Sequence, residues 1–135
     1  PASNNALDMF REMYLAAVLP KLKYKDAAVM DAADVLKMAT TGGALAMGLP
    51  ECMYVKKGQF ADLILIDLQR PNMQPVHNLV KNLVYSGSKE NVKMTMVNGM
   101  VLYENGEFFV GESPSEIYAK AMKLLSGLLS NFKFF

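Results

Sequence analysis

Apolar and polar positions change rhythm twice along the 135 residues. In the first stretch Leu7, Phe10, Met13, Tyr14, Ala17 and Val18 recur at steps of three and four, the spacing that lines one face of an α-helix. This predicts a helix over Asn5 to Leu19. Ser3, Asn4 and Asn5 are available to cap its free N–H groups, Asp8 lies in the first turn, and Pro20 is expected to end it. A second helical region is expected from Asp31 as cap to Met47, carried by Ala33, Val35, Leu36, Met38, Ala39, Ala44 and Leu45. Gly42-Gly43 interrupts it, either as a turn between two short helices or as a place where another backbone packs closely. Gly48 is the expected C-terminal stop, with Pro50 just beyond.

From Pro50 the period shortens to that of strands. Ala61 to Asp67 holds a short continuous apolar run bounded by aspartates, the pattern of a strand buried on both faces. Leu79 to Tyr85 is a further strand candidate. The sharpest local signal is Lys93–Val97, Asn98-Gly99, Met100–Glu104, Asn105-Gly106 and Glu107–Val110. Two Asn-Gly pairs between alternating segments predict a three-stranded meander, because a two-residue hairpin turn needs positive φ at both central positions. The rhythm then returns to helical. Ser113-Pro114-Ser115-Glu116 has the cap, the first-turn proline and the acid three residues later that open a helix. Ile117, Ala121, Leu124, Leu125, Leu128 and Leu129 form its stripe, and the apolar tail Phe132-Lys133-Phe134-Phe135 is expected to dock against something.

Composition narrows the function more than the fold. A content of 52% hydrophobic and 20% charged residues reads as globular. Fourteen basic residues against 13 acidic leave a net charge of +1, so no field favours nucleic acid or an anionic membrane. The cluster Lys21-Leu22-Lys23-Tyr24-Lys25 is read as a solvated helix end. Eleven methionines without a tryptophan suit adaptable core filling. No segment reaches the length of a membrane span, and the chain does not open on a signal peptide; it starts at Pro1, which suggests processing or truncation. The single cysteine allows no internal disulfide and fits a reducing cytoplasm.

The chemical inventory is nearly empty. Hydrolytic zinc sites commonly take two or three histidines; His77 is the only one, and its Pro-Val-His-Asn setting reads as a structural or solvated loop. Cys52, among Leu49, Met53, Tyr54 and Val55, reads as a small buried hydrophobe with no partner set to activate it. Asp62 and Asp67 bracket one strand at odd spacing and face opposite sides of it, so ending the strand and accepting from loop amides is their expected work. Gly99, Gly106 and Gly111 are turn residues and do not form a phosphate-cradling loop. No catalytic, cofactor-binding or metal-ligating residue is assigned.

Five segments in order nevertheless carry a resemblance: Ser3-Asn4-Asn5 with Leu7 to Met13; Val35 to Leu49 with Thr40-Thr41-Gly42-Gly43-Ala44; Lys57-Gly58-Gln59-Phe60-Ala61-Asp62 through Asp67; Asn82-Leu83-Val84-Tyr85; and Met96-Val97-Asn98-Gly99. Together, over roughly residues 1–110, they resemble the C-terminal part of the amidohydrolase superfamily. Within it they look most like the chlorohydrolase-like aminohydrolases of the S-adenosylhomocysteine/methylthioadenosine deaminase group. The run Tyr54-Val55-Lys56-Lys57 and the pair Cys52-Met53 depart from the family's usual wording there. The resemblance implies an α+β chain: residues 1–50 as the C-terminal end of a TIM barrel, 51–112 as part of a small β-sandwich, and 113–135 as a C-terminal helix and tail. It implies a full-length parent that hydrolytically deaminates a purine-like or related ring with zinc or iron. The parent's histidine ligands, its catalytic glutamate and its metal-binding aspartate would all lie upstream of Pro1. The chain itself is then expected to bind no metal or cofactor, to be inactive alone, and to self-associate through exposed apolar helix faces. The alternative is a stand-alone, non-catalytic interaction or oligomerisation module.

Overall fold

The structure is a computed structural model that describes residues 6–131. Helix α1 runs Met9–Tyr24. Its cap is Asp8, whose carboxylate accepts from the amides of Phe10 at 3.1 Å and Arg11 at 3.3 Å; Ser3, Asn4 and Asn5 lie outside the described residues. Pro20 does not stop the helix. Proline's fixed φ suits a helix, and what it removes is one intrahelical donor. The turn beyond is secured by Lys21, whose ammonium donates to the carbonyls of Ala27, Val29 and Met30 at 2.8, 2.5 and 3.1 Å. The basic cluster is therefore only partly a solvated helix end, since Lys21 stitches the following loop to the helix. The chain leaves α1 through Lys25 in the left-handed region, with the Asp26 amide on the Lys21 carbonyl.

Helix α2, Ala32–Lys37, is capped by Asp31, which accepts from the Ala33 amide at 2.8 Å. It does not break at the glycine pair. It widens into a π-helical turn, Met38–Gly42, and continues as α3, Gly43–Ala46. A β-carbon on Gly42 would sit 3.1 Å from the Lys37 carbonyl oxygen. The end is a Schellman closure: the Gly48 amide, at φ +71°, reaches Leu45, and the Leu49 amide reaches Ala44.

The stretch read as a strand over Leu79 to Tyr85 is helix α4, Leu79–Tyr85. The Asn78 side chain caps it by accepting from the Lys81 amide at 3.0 Å. Val80, Leu83 and Val84 fall at the three- and four-residue steps of a helix face, and burying them against α1 and α2 outweighs the strand preference of the valines. The core forms where α1, α2 and α4 meet: Phe10, Met13, Ala17, Ala32, Val35 and Val84 are buried, and Ile66 and Val92 pack on them from the sheet. Gly87 permits the closest approach, because a β-carbon there would stand 2.5 Å from the Leu83 carbonyl oxygen and 2.8 Å from the Phe10 ring.

The sheet has four antiparallel strands in chain order: β1 Leu63–Ile66, β2 Val92–Val97, β3 Met100–Glu104 and β4 Glu107–Phe108. Both expected hairpin turns are present, with Asn98, Gly99, Asn105 and Gly106 all at positive φ. Strand β1 is not buried on both faces: Ile64 is 46% and Leu65 52% exposed. It is a four-residue edge strand, paired on one side with β2 (Ile64 opposite Thr95) and with no strand on its other side among the described residues; Ile66 alone of its residues packs on the helical core. Helix α5, Pro114–Asn131, opens as expected, the Ser113 hydroxyl accepting from the Glu116 amide while the Glu116 carboxylate accepts from the Ser113 amide at 2.8 Å. Its stripe stays exposed, Leu124 at 70% and Leu128 at 59%. The tail Phe132 to Phe135 lies outside the described residues. The architecture is thus α+β, a helical layer beside a small antiparallel sheet.

Candidate functional site

The four residues with chemical potential are scattered. His77 is exposed in the loop that leads into α4. Asp67 ends β1 as expected, accepting from the Gln69 amide at 2.9 Å, with the Arg70 and Lys93 cations each 3.7 Å from its other oxygen. Cys52 and Asp62 do meet. The Cys52 thiol donates to Asp62 Oδ2 at 3.2 Å, and Asp62 Oδ1 accepts from the Asn98 amide at 2.5 Å. Asp62 thereby ties the loop before β1 to the turn between β2 and β3. Cys52 is half-buried and hydrogen-bonded rather than an inert buried hydrophobe.

The electrostatics of this pair run against nucleophilic chemistry. The hydrogen bond to Asp62, then loss of solvent, then the charges of Asp62 and Glu51 raise the Cys52 pKa above its ordinary value. A reactive cysteine needs the opposite, a stabilised thiolate. The Asn98 amide, followed by the Cys52 thiol, holds the Asp62 carboxyl below the usual carboxylate range. Asp62 is therefore a settled anion that accepts hydrogen bonds, with no poise for proton transfer at neutral pH.

Sequence reasoning missed the polar centre of the fold. Asn91 is 1% exposed. Its amide nitrogen donates to the Asp67 carbonyl at 3.3 Å and to Asn72 Oδ1 at 3.2 Å. Its oxygen accepts from Asn72 Nδ2, the Ser88 amide and the Ser88 hydroxyl at 2.8, 2.9 and 3.2 Å. The end of β1, the turn at Asn72 and the entry to β2 are locked together at that one side chain. The available signal was the spacing Ser88-Lys89-Glu90-Asn91, a cap-like pattern without a helix-forming run behind it.

A shallow cavity beside the sheet is lined by Cys52 and Asp62 together with Tyr54, Ile64 and Met96, and a second is apolar. The second, of about 210 Å³, lies between the helical layer and β1, lined by Met9, Met13, Leu36, Ala39, Ile64 and Ile66. It gathers no titratable side chain. Among the described residues no three His, Cys, Asp or Glu side chains come together to hold a metal ion, and no helix is long and apolar enough to cross a membrane.

Comparison with known proteins places these elements. Residues 1–102 match the sequence profile of the Amidohydrolase family. The chain is 44% identical over 108 residues to a 5-methylthioadenosine/S-adenosylhomocysteine deaminase of Thermococcus onnurineus, a match covering 80% of this chain and 25% of that protein. It is 40% identical over 122 residues to the protein of the same name in Pelotomaculum thermopropionicum, covering 90% and 28%. An adenosine deaminase from Xanthomonas campestris with bound zinc superposes with a TM-score of 0.88 at 32% identity, covering 96% of this chain and 29% of that one. Atrazine chlorohydrolase TrzN from Arthrobacter aurescens TC1, complexed with zinc, gives 0.76 at 26% identity, covering 85% and 26%. The chain spans about a quarter of the length of the relatives it matches. Zinc is present in both of those structures, but the described residues here bring no donor set together and do not fit that ion. With three quarters of its length matched and its helices and sheet superposing on deaminase and chlorohydrolase structures, the chain belongs to the amidohydrolase family.

Proposed function

We propose that this chain is the C-terminal, non-catalytic scaffold of a longer metal-dependent aminohydrolase that deaminates a purine-like ring. The observation that carries the reading is the asymmetry of coverage: nearly all of this chain superposes on the Xanthomonas adenosine deaminase, and it accounts for 29% of that molecule. On this reading α1 is the last barrel helix, the glycine-bearing helix from Ala32 to Ala46 packs beneath the barrel, and residues 51–112 belong to a small β-sandwich. The names of the relatives favour methylthioadenosine or S-adenosylhomocysteine as substrate. The metal and the acid–base groups belong to the remainder of the parent.

Physical support comes from the surface. Met9, Leu19 and Leu22 on α1 and Ile64 and Leu65 on β1 are all more than two-fifths exposed. Exposed apolar side chains on both elements are in keeping with surfaces that meet other protein, and β1 also presents an unpaired edge. The test is to extend the expressed reading frame upstream and measure bound zinc or iron in the longer product. A stoichiometric metal in the longer protein, absent from the 135-residue chain, agrees with the proposal. A longer product that neither binds metal nor deaminates these substrates contradicts it.

A second reading, a stand-alone module that self-associates, rests on α5, where every residue from Ser115 to Ser130 is exposed while seven large apolar side chains occupy it. Light scattering after size-exclusion chromatography decides this one. A concentration-dependent dimer supports it and a clean monomer at high concentration removes it.

A further inference from the structure

The two Asn-Gly turns have the same sequence and the same backbone hand, with Asn98 and Gly99 at φ +50° and +76° and Asn105 and Gly106 at +48° and +97°. Their surroundings differ at the atoms that matter for one reaction. An asparagine followed by glycine can lose its side-chain amide: the glycine nitrogen gives up its proton and bonds to the asparagine Cγ, the Cγ–Nδ2 bond breaks, and ammonia leaves. Solvent water then opens the resulting succinimide to aspartate or isoaspartate. Glycine has no β-carbon to hinder that approach, so the rate is set by how readily its nitrogen is freed and the turn rearranged.

At the first turn both nitrogens are engaged. The Asn98 amide donates to Asp62 Oδ1, and the Gly99 amide, the would-be nucleophile, donates to the Ala61 carbonyl at 3.1 Å. The hairpin beneath it pairs β2 and β3 over most of their length. At the second turn the Asn105 amide is held by the Lys93 carbonyl at 2.8 Å, while the Gly106 amide has no acceptor among the described residues. The hairpin beneath is two residue pairs long, and one of those pairs sets Glu104 directly opposite Glu107. Like charges in that position oppose the pairing. Besides its short ladder, the hairpin is held by the Tyr103–Phe108 ring contact, with centroids 5.0 Å apart, and by the Phe109 amide on the Leu102 carbonyl. Short, exposed and charge-strained hairpins open at little free-energy cost.

We propose that Asn105 is a deamidation site, that Asn98 is protected by the Asp62–Ala61 clamp, and that modification of Asn105 releases β4 from the sheet. The product places a third carboxylate between Glu104 and Glu107, and isoaspartate also lengthens the backbone through the turn, so both products work against the hairpin. Peptide-mapping mass spectrometry of the folded chain, aged in mildly alkaline buffer, reads the two sites separately. Asn105 converts about tenfold faster than Asn98, the ratio expected if the opening free energies differ by ~1.4 kcal/mol, whereas in concentrated urea the two rates converge. Asp62→Ala raises the Asn98 rate toward that of Asn105. Independently of that variant's folding, Asn105→Asp speeds hydrogen exchange at the Phe109 amide and leaves exchange in α1 unchanged. Equal rates at the two sites in the folded chain, faster conversion at Asn98, or an unmodified folded chain under conditions where the urea-unfolded chain converts at both sites would each overturn the proposal.

Discussion

The meeting of α1, α2 and α4 and the exposed length of α5 use similar apolar stripes for different ends. In the first, Phe10, Val35 and Val84 lose nearly all contact with water and Gly87 lets a ring lie against backbone. In the second, Leu124, Leu125, Leu128 and Leu129 remain 47–70% exposed. Periodicity alone does not distinguish them, because both carry apolar residues at the three- and four-residue steps of a helix face. The difference lies in the partner. The first stripe finds its complement within the chain, and the second finds none among the described residues.

The contrast is broken most severely from the inside. Phe10→Ala removes the ring that closes against Gly87 and leaves a cavity between α1 and α4; the expected loss is about 3–5 kcal/mol in urea unfolding, as for buried aromatics in general. Asn91→Ala follows. It leaves the Asn72 amide and the Ser88 donors without their shared partner, for about 1–3 kcal/mol, and the loss should appear as faster hydrogen exchange at the Asp67 amide, which donates to the carbonyl of residue 91 at 2.7 Å. Leu128→Ser on α5 is expected to change unfolding free energy by no more than about 0.5 kcal/mol, with its effect confined to light scattering. A loss on the scale of Phe10→Ala would show that α5 is packed in solution.

The smallest effect is electrostatic. The folded-state pKa of Asp62 is lowered by the Asn98 amide, so its contribution to stability is present above the unfolded-state pKa and fades as pH falls through the lower folded value. For Cys52 the folded pKa is raised, so its contribution is full below the unfolded thiol value and is lost as pH rises through the folded one. Asp62→Asn should flatten the acid side of the stability profile, measured by thermal unfolding at stepped pH. An unchanged acid limb would separate Asp62 from the clamp.

Much of this fold was legible from local chemistry. Asn98-Gly99 and Asn105-Gly106 announced the meander because few other pairs accept two positive φ values in succession, and Asp31, Gly48 and Ser113 to Glu116 marked helix ends through the groups they satisfy. What failed depended on distant partners. Leu79 to Tyr85 has strand-like composition, and the core supplied by α1 and α2 makes it a helix. Pro20 sits inside the helix, and what closes the turn beyond it is Lys21, held by carbonyls six to nine residues on. Asn91 reads as an ordinary loop residue until Asn72, nineteen residues away, is folded against it. The candidate site was legible chiefly as a scatter of single groups: His77 stands alone in its loop, and Cys52 and Asp62 meet only to hold a turn.

On the proposed function these residues are a scaffold for chemistry performed elsewhere in a longer chain. Ammonia release from methylthioadenosine by the purified 135-residue protein, supplied with zinc, tests it most directly. The expected result is no release above a buffer containing zinc alone. Sustained zinc-dependent turnover by this chain would contradict it.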